Sequence, residues 1–70
     1  MRDLMEFARS LKIWFFNNKT SAAFQAASVN AAYGYEIEKE TEKAIMIRIY
    51  KNGDPMNWVE WFPKSVIENR

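Results

Sequence analysis

The sequence predicts an α+β domain, two helices followed by an antiparallel β-meander. Three observations carry that reading. Apolar residues recur at helical spacing from Leu4 to Phe15, an alanine-rich segment follows from Thr20, and the chain alternates in the manner of strands after Gly34. Helices first and strands afterwards is the order of α+β folds rather than of a parallel βαβ sheet. At 70 residues the chain is expected to form a single small domain over its whole length, 1–70. Its 49% apolar and 27% charged residues are globular in composition.

The first helix is expected from about Asp3 to Phe16. Leu4, Phe7, Ala8, Leu11, Trp14 and Phe15 fall on one stripe, Asp3 suits the positive end of the helix dipole, and Asn17-Asn18 is a plausible stop. Ile13 lies off that stripe, with Met5 and Phe16 beside it. This predicts either a wide stripe covered from more than one side or a second apolar patch for a partner. The second helix is expected over Thr20–Tyr33. It holds six alanines, Thr20 or Ser21 can cap its start, and Gly34 can take the left-handed position after its end. Its small side chains leave Phe24, Val29 and Tyr33 to supply most of its packing.

Three strands are expected. Tyr35–Glu38 alternates apolar and acidic residues. Lys43–Tyr50 puts Ile45, Ile47 and Ile49 on one face and Ala44, Met46, Arg48 and Tyr50 on the other. Asn52-Gly53-Asp54-Pro55 is a strong turn signal, and Met56–Phe62 reads as the return strand of a hairpin. Pro63 ends that strand and opens a short final helical turn, Lys64–Glu68.

Composition excludes more functions than it suggests. With no Cys there are no disulfides or thiolate ligands, and with no His the usual general base and commonest metal ligand are missing. Ser10, Ser21, Ser28 and Ser65 therefore lack a histidine to activate them, and two glycines, Gly34 and Gly53, make no phosphate-binding loop. Glu36, Glu38, Glu40 and Glu42 fall at every second position. Such a row could hold a hard cation, but Lys39 and Lys43 interleave, so a solvated strand face with Ile37 inward is the expected reading. The chain is expected not to be an enzyme and to need no cofactor. Ten basic against nine acidic residues give a net charge of +1, which argues against duplex nucleic acid as a partner. The acidic residues near the N-terminus break a signal-peptide pattern, and the longest uncharged stretch is too short and polar to span a bilayer. A cytoplasmic, non-membrane protein is expected.

The aromatic residues, 16% of the chain, predict either a second sheet face covered by a helix or by another copy, or an open face used for binding. Trp58 and Trp61 lie three apart in one strand and so face opposite sides. With Val59 and Trp61 expected inward beside the isoleucines, Met56, Trp58, Glu60 and Phe62 face outward. Trp58, Phe62 and Tyr50 then form an outer patch with Arg48 and Lys64 at its rim. Aromatics and arginine dominate interface energetics, which suits docking on a protein or nucleoprotein partner. The same patch, with Arg48, Lys51 and Lys64, could stack single-stranded nucleic acid, or it could pair with its own copy in a homodimer.

The run Glu40-Thr41-Glu42-Lys43-Ala44, followed after a hairpin by Trp61-Phe62-Pro63-Lys64-Ser65, resembles a pattern in small uncharacterised proteins of phages, plasmids and other mobile elements. There an E-T-x-K-A start leads one strand and a W-x-P-K-S end closes the next. The likeness spans roughly the last thirty residues and none of the helices. It implies a short chain acting on host or phage machinery, as anti-CRISPR and similar counter-defence binders do, although no residue here matches a motif of theirs.

Overall fold

The computed structural model describes residues 1–68. Four antiparallel strands, β1 (Arg2–Asp3), β2 (Tyr33–Glu40), β3 (Ala44–Lys51) and β4 (Asp54–Pro63), form one sheet in chain order. Three short helices, α1 (Leu4–Arg9), α2 (Ile13–Lys19) and α3 (Ala22–Ala27), precede β2, and a 3₁₀ turn (Lys64–Val66) follows β4. The α+β class and the antiparallel meander match expectation. The sheet has a fourth strand and the helical region a third helix.

The expected first helix is broken in the middle. Leu11 pairs with Ile67 in an isolated β-bridge, and the amide of Lys12 donates to the carbonyl of Val66 at 2.8 Å. Tying the chain to the C-terminal segment takes Lys12 to extended φ/ψ of −60° and 136°. The helix restarts at Ile13 in a new phase. Leu4, Phe7 and Leu11 stay buried as expected, but Trp14 is left exposed, and α2 runs through Asn17-Asn18 to Lys19.

The second helix is shorter than its alanines imply. Ser21 caps it, accepting from the Phe24 amide at 3.1 Å. It ends at Ala27, and the Asn30 side chain accepts from the Ala32 amide at 2.9 Å, holding a turn where a further helical turn was expected. Tyr33 consequently begins β2 rather than ending a helix, and Val29 is exposed rather than packed. Gly34 lies within β2 and has no positive φ; that conformation belongs to Asn52 and Gly53 of the hairpin. Glycine is required at 34 by crowding. An added Cβ would stand 2.6 Å from the Arg2 carbonyl oxygen and overlap the Met1 side chain.

The helices cover one side of the sheet. Ile45, Ile47 and Ile49 of β3 are fully buried there with Leu4, Phe7, Leu11, Phe24, Ala27, Tyr35, Phe62, Val66 and Ile67. Phe62 is the hub of the aromatic packing. Its ring meets Phe7 at 5.0 Å, Phe24 at 5.4 Å and Phe15 at 6.1 Å between centroids, in tilted or edge-on arrangements.

Candidate partner-binding face

The hairpin turn decides which side of β4 faces the core. Asn52 and Gly53, with φ of 52° and 84°, join Lys51 to its cross-strand partner Asp54 as a two-residue turn. Odd-numbered positions of β3 are thereby set opposite even-numbered positions of β4. The irregularity between Arg48 and Tyr50 shifts the register by two residues and keeps that parity: Arg48 pairs with Val59, Ile47 with Glu60, Met46 with Trp61 and Ile45 with Phe62. The isoleucines face the helices, so Met56, Trp58, Glu60 and Phe62 face them too.

The expected orientation of β4 is therefore inverted. Phe62, placed on the outer patch by the sequence reading, is 2% exposed in the core. Trp58 packs partly buried against that core, and its indole N–H donates to Glu60 Oε2 at 2.7 Å. The rings that reach outward are those expected inside: Trp61 is 49% and Val59 40% exposed. Tyr50 and Arg48 lie on the outer face as expected. Lys64, expected at the rim, has Nζ 2.7 Å from Glu40 Oε2, and since Glu40 is cross-strand from the buried Ile45 this ion pair belongs to the helical side of the sheet instead.

Cross-strand pairing builds the outer face as a row: Met46 beside Trp61, Arg48 beside Val59, and Ala44 beside Pro63, with Tyr50 farther along β3. No helix among the described residues lies over this row, and its apolar members are half-buried or exposed. Arg48, the cation within the row, is paired, whereas Lys39, cross-strand from Met46, is an exposed cation on the same face. The Arg48 guanidinium takes both carboxylate oxygens of Glu38, through Nε to Oε2 and through Nη2 to Oε1 at 2.9 Å, and its Nη1 donates to the Met56 carbonyl at 2.8 Å. That two-pronged contact holds Glu38 below the usual carboxylate range and raises Arg48. The N-terminal ammonium lies 2.9 Å from Glu36 Oε2 and lowers that carboxyl as well.

The glutamate row is dispersed by the same contacts. The β2–β3 register slips by one residue between Ile37 and Lys39, so Glu38 is the extra residue of a bulge. Glu36, Glu38 and Glu40 each meet a different cation of the chain. Among the described residues no group of acidic side chains is arranged to hold a metal ion. Lys51, expected in the outer patch, lies instead over the Tyr33 ring at 5.6 Å from its centroid.

A second apolar feature lies on the helical side. Met5, Ala8, Leu11, Ile13, Phe16 and Val29 line a cleft of about 550 Å³, with Arg9, Ser28 and Glu68 at its margin. It gathers Met5, Ile13 and Phe16, the residues that departed from the first helical stripe, and Ile13 is 76% exposed. The break at Ser10–Lys12 brings them together with Val29, which no helical periodicity in the sequence connects to them. Among the described residues no helix is long and apolar enough to cross a membrane.

Comparison of the chain with protein-family models, with curated proteins and with solved structures finds no match in any of the three. Function is therefore argued from the face itself.

Proposed function

We propose that this chain is a small non-enzymatic binding protein that docks on a protein partner through the outer face of its sheet, with Trp61 as the central anchor. The observation that carries the reading is the open row of Met46, Trp61 and Val59 beside Tyr50, on a face left without a helix. A large ring half in water, flanked by apolar neighbours and rimmed by Arg48, has the composition of an interface centre. Arg48 is held rigid by Glu38 and Met56, so little side-chain freedom is lost when a partner closes over it.

The neutralised Arg48 and the neighbouring carboxylates favour protein over nucleic acid. Arg48 is matched by Glu38, and Glu36 beside it adds a further carboxylate to the same face, against the one exposed cation Lys39 among the described residues of that row. A single-strand binder tracks the phosphates with unmatched cations and weakens steeply as salt rises. The setting we attach to the proposal, a mobile-element protein that inhibits a host defence complex in the cytoplasm, rests on the C-terminal sequence pattern alone.

The test is a capture experiment from bacterial lysate with the wild-type chain and a Trp61→Ala, Val59→Ser double variant shown to be folded by circular dichroism. A protein retained by the wild type and lost by the variant supports the reading. Identical capture by both would remove the outer face from the site. Retention only of nucleic acid, abolished by moderate salt, would shift the function to strand binding.

A further inference from the structure

The far edge of β4 is a strand edge with a built-in self-complementary register. Among the described residues no strand pairs with it, since the sheet order ends at β4. An edge strand of this length and apolar content is normally blunted by lysine, proline or a covering element. Here Pro55 and Pro63 stand near its ends, while the stretch between them carries Glu60 as its one charge.

The backbone of that stretch can be assigned a direction. The Lys64 amide donates to the Lys43 carbonyl at 2.8 Å, so even-numbered amides of β4 point toward β3. The amides and carbonyls of Val59 and Trp61 then point away from the sheet, and the alternation of half-buried and exposed residues over 56–59 carries the same direction to Asn57 across the irregularity between Arg48 and Tyr50. Pro55 and Pro63 share that parity, in keeping with the confinement of strand prolines to positions whose amide would face outward.

We infer that two copies of this chain pair antiparallel through β4, about a two-fold axis at Val59, to form one continuous eight-stranded sheet. Val59 then lies opposite the second copy's Val59, and Asn57 opposite the second copy's Trp61. Each of these residues offers one outward N–H and one outward C=O, and the ladder closes on about six hydrogen bonds. Pro55 falls opposite the second copy's Pro63, so the ladder ends on both sides where donors are missing. The charges agree with the same register. Glu60 falls opposite Trp58 and not opposite its own copy, and no like charges face each other within the ladder. Pairing also brings Trp61 and Val59 of both copies onto one outer surface. The inference does not depend on the proposed protein partner.

The experiment combines sedimentation with amide exchange on the whole chain. At about 100 μM and above the wild type is expected to sediment as a dimer, and the Asn57, Val59 and Trp61 amides to exchange more than about tenfold slower than in a dilute sample. Val59→Pro removes a donor that β3 does not use, and Val59→Lys adds edge charge without touching the backbone. Both are expected to be folded monomers. A monomeric wild type at these concentrations overturns the inference. So does a dimer that survives both Val59 substitutions, or one whose three amides exchange freely, since the contact would then lie elsewhere.

Discussion

Substituting the adjacent residues Phe62 and Trp61 by alanine separates the two orientations of β4. Phe62 is 2% exposed and touches three other rings, so Phe62→Ala loses the transfer energy of a full phenyl group and leaves a cavity among Phe7, Phe15 and Phe24. Buried Phe→Ala changes cost about 3–5 kcal/mol. A domain of this length has a total stability of roughly 4–10 kcal/mol, at about 0.05–0.15 kcal/mol per residue. The substitution therefore removes a large share of it. Trp61 is half in water, and its truncation forfeits partial contacts with Met46 and its neighbours, about 1 kcal/mol or less. The assay is thermal and urea unfolding followed by circular dichroism. With roughly 4–8 °C per kcal/mol in a domain of this size, Phe62→Ala is expected to lower Tm by at least about 12 °C and Trp61→Ala by less than about 8 °C. Equal losses, or a larger loss for Trp61→Ala, would refute the assignment of faces.

Other expectations follow from the same contacts. Gly34→Ala places a methyl group against the Arg2 carbonyl and the Met1 side chain, so it is expected to release β1 and lower Tm, with amide exchange at Arg2 and Asp3 accelerated. Ser21→Ala removes the oxygen that receives the Phe24 amide and is expected to cost about 1 kcal/mol in urea unfolding, whereas Ser21→Asp retains the cap. Glu36 and Glu38 titrate below their ordinary value of 4.5 because the N-terminal ammonium and Arg48 stabilise their ionised forms. Their contribution to stability is complete above the unfolded-state value and disappears as pH falls through the lowered folded-state values. Arg48→Met is expected to move the Glu38 titration, followed by carboxyl NMR, back up toward 4.5 and to flatten the acid limb of the stability profile. An unmoved Glu38 would contradict the two-pronged contact.

Residues with a local physical cause were legible in the sequence. The alternation of Ile45, Ile47 and Ile49 placed β3 and its buried face, Ser21 capped a helix, and Asn52-Gly53 closed the hairpin. Long-range pairing was not legible. The Leu11–Ile67 bridge broke a helix whose periodicity was intact, and β1 exists because Arg2 and Asp3 meet Tyr35 and Gly34. The misplacement of Phe62 and Trp61 had a readable signal. A two-residue turn at Asn52-Gly53 makes Lys51 face Asp54, and counting outward from that pair puts even positions of β4 beside the isoleucines. Hydrophobic character alone, which draws Val59 and Trp61 toward the isoleucines, points the other way. The bulge at Glu38, which brings its carboxylate to Arg48, has no such signal, since it is fixed by the contact it makes across the sheet.

The claim on which the account rests is that the outer sheet face, through Trp61, holds a protein partner. Its most direct test is the affinity of that captured partner for a folded Trp61→Ala chain, measured by calorimetry beside wild type and beside Ile13→Ser, which alters the cleft between the helices. A central anchor contributes about 2 kcal/mol or more, so Trp61→Ala is expected to weaken binding by about thirtyfold or more and Ile13→Ser to leave it unchanged. Wild-type affinity in Trp61→Ala, with binding lost in Ile13→Ser, would contradict the account and move the site to the helical side.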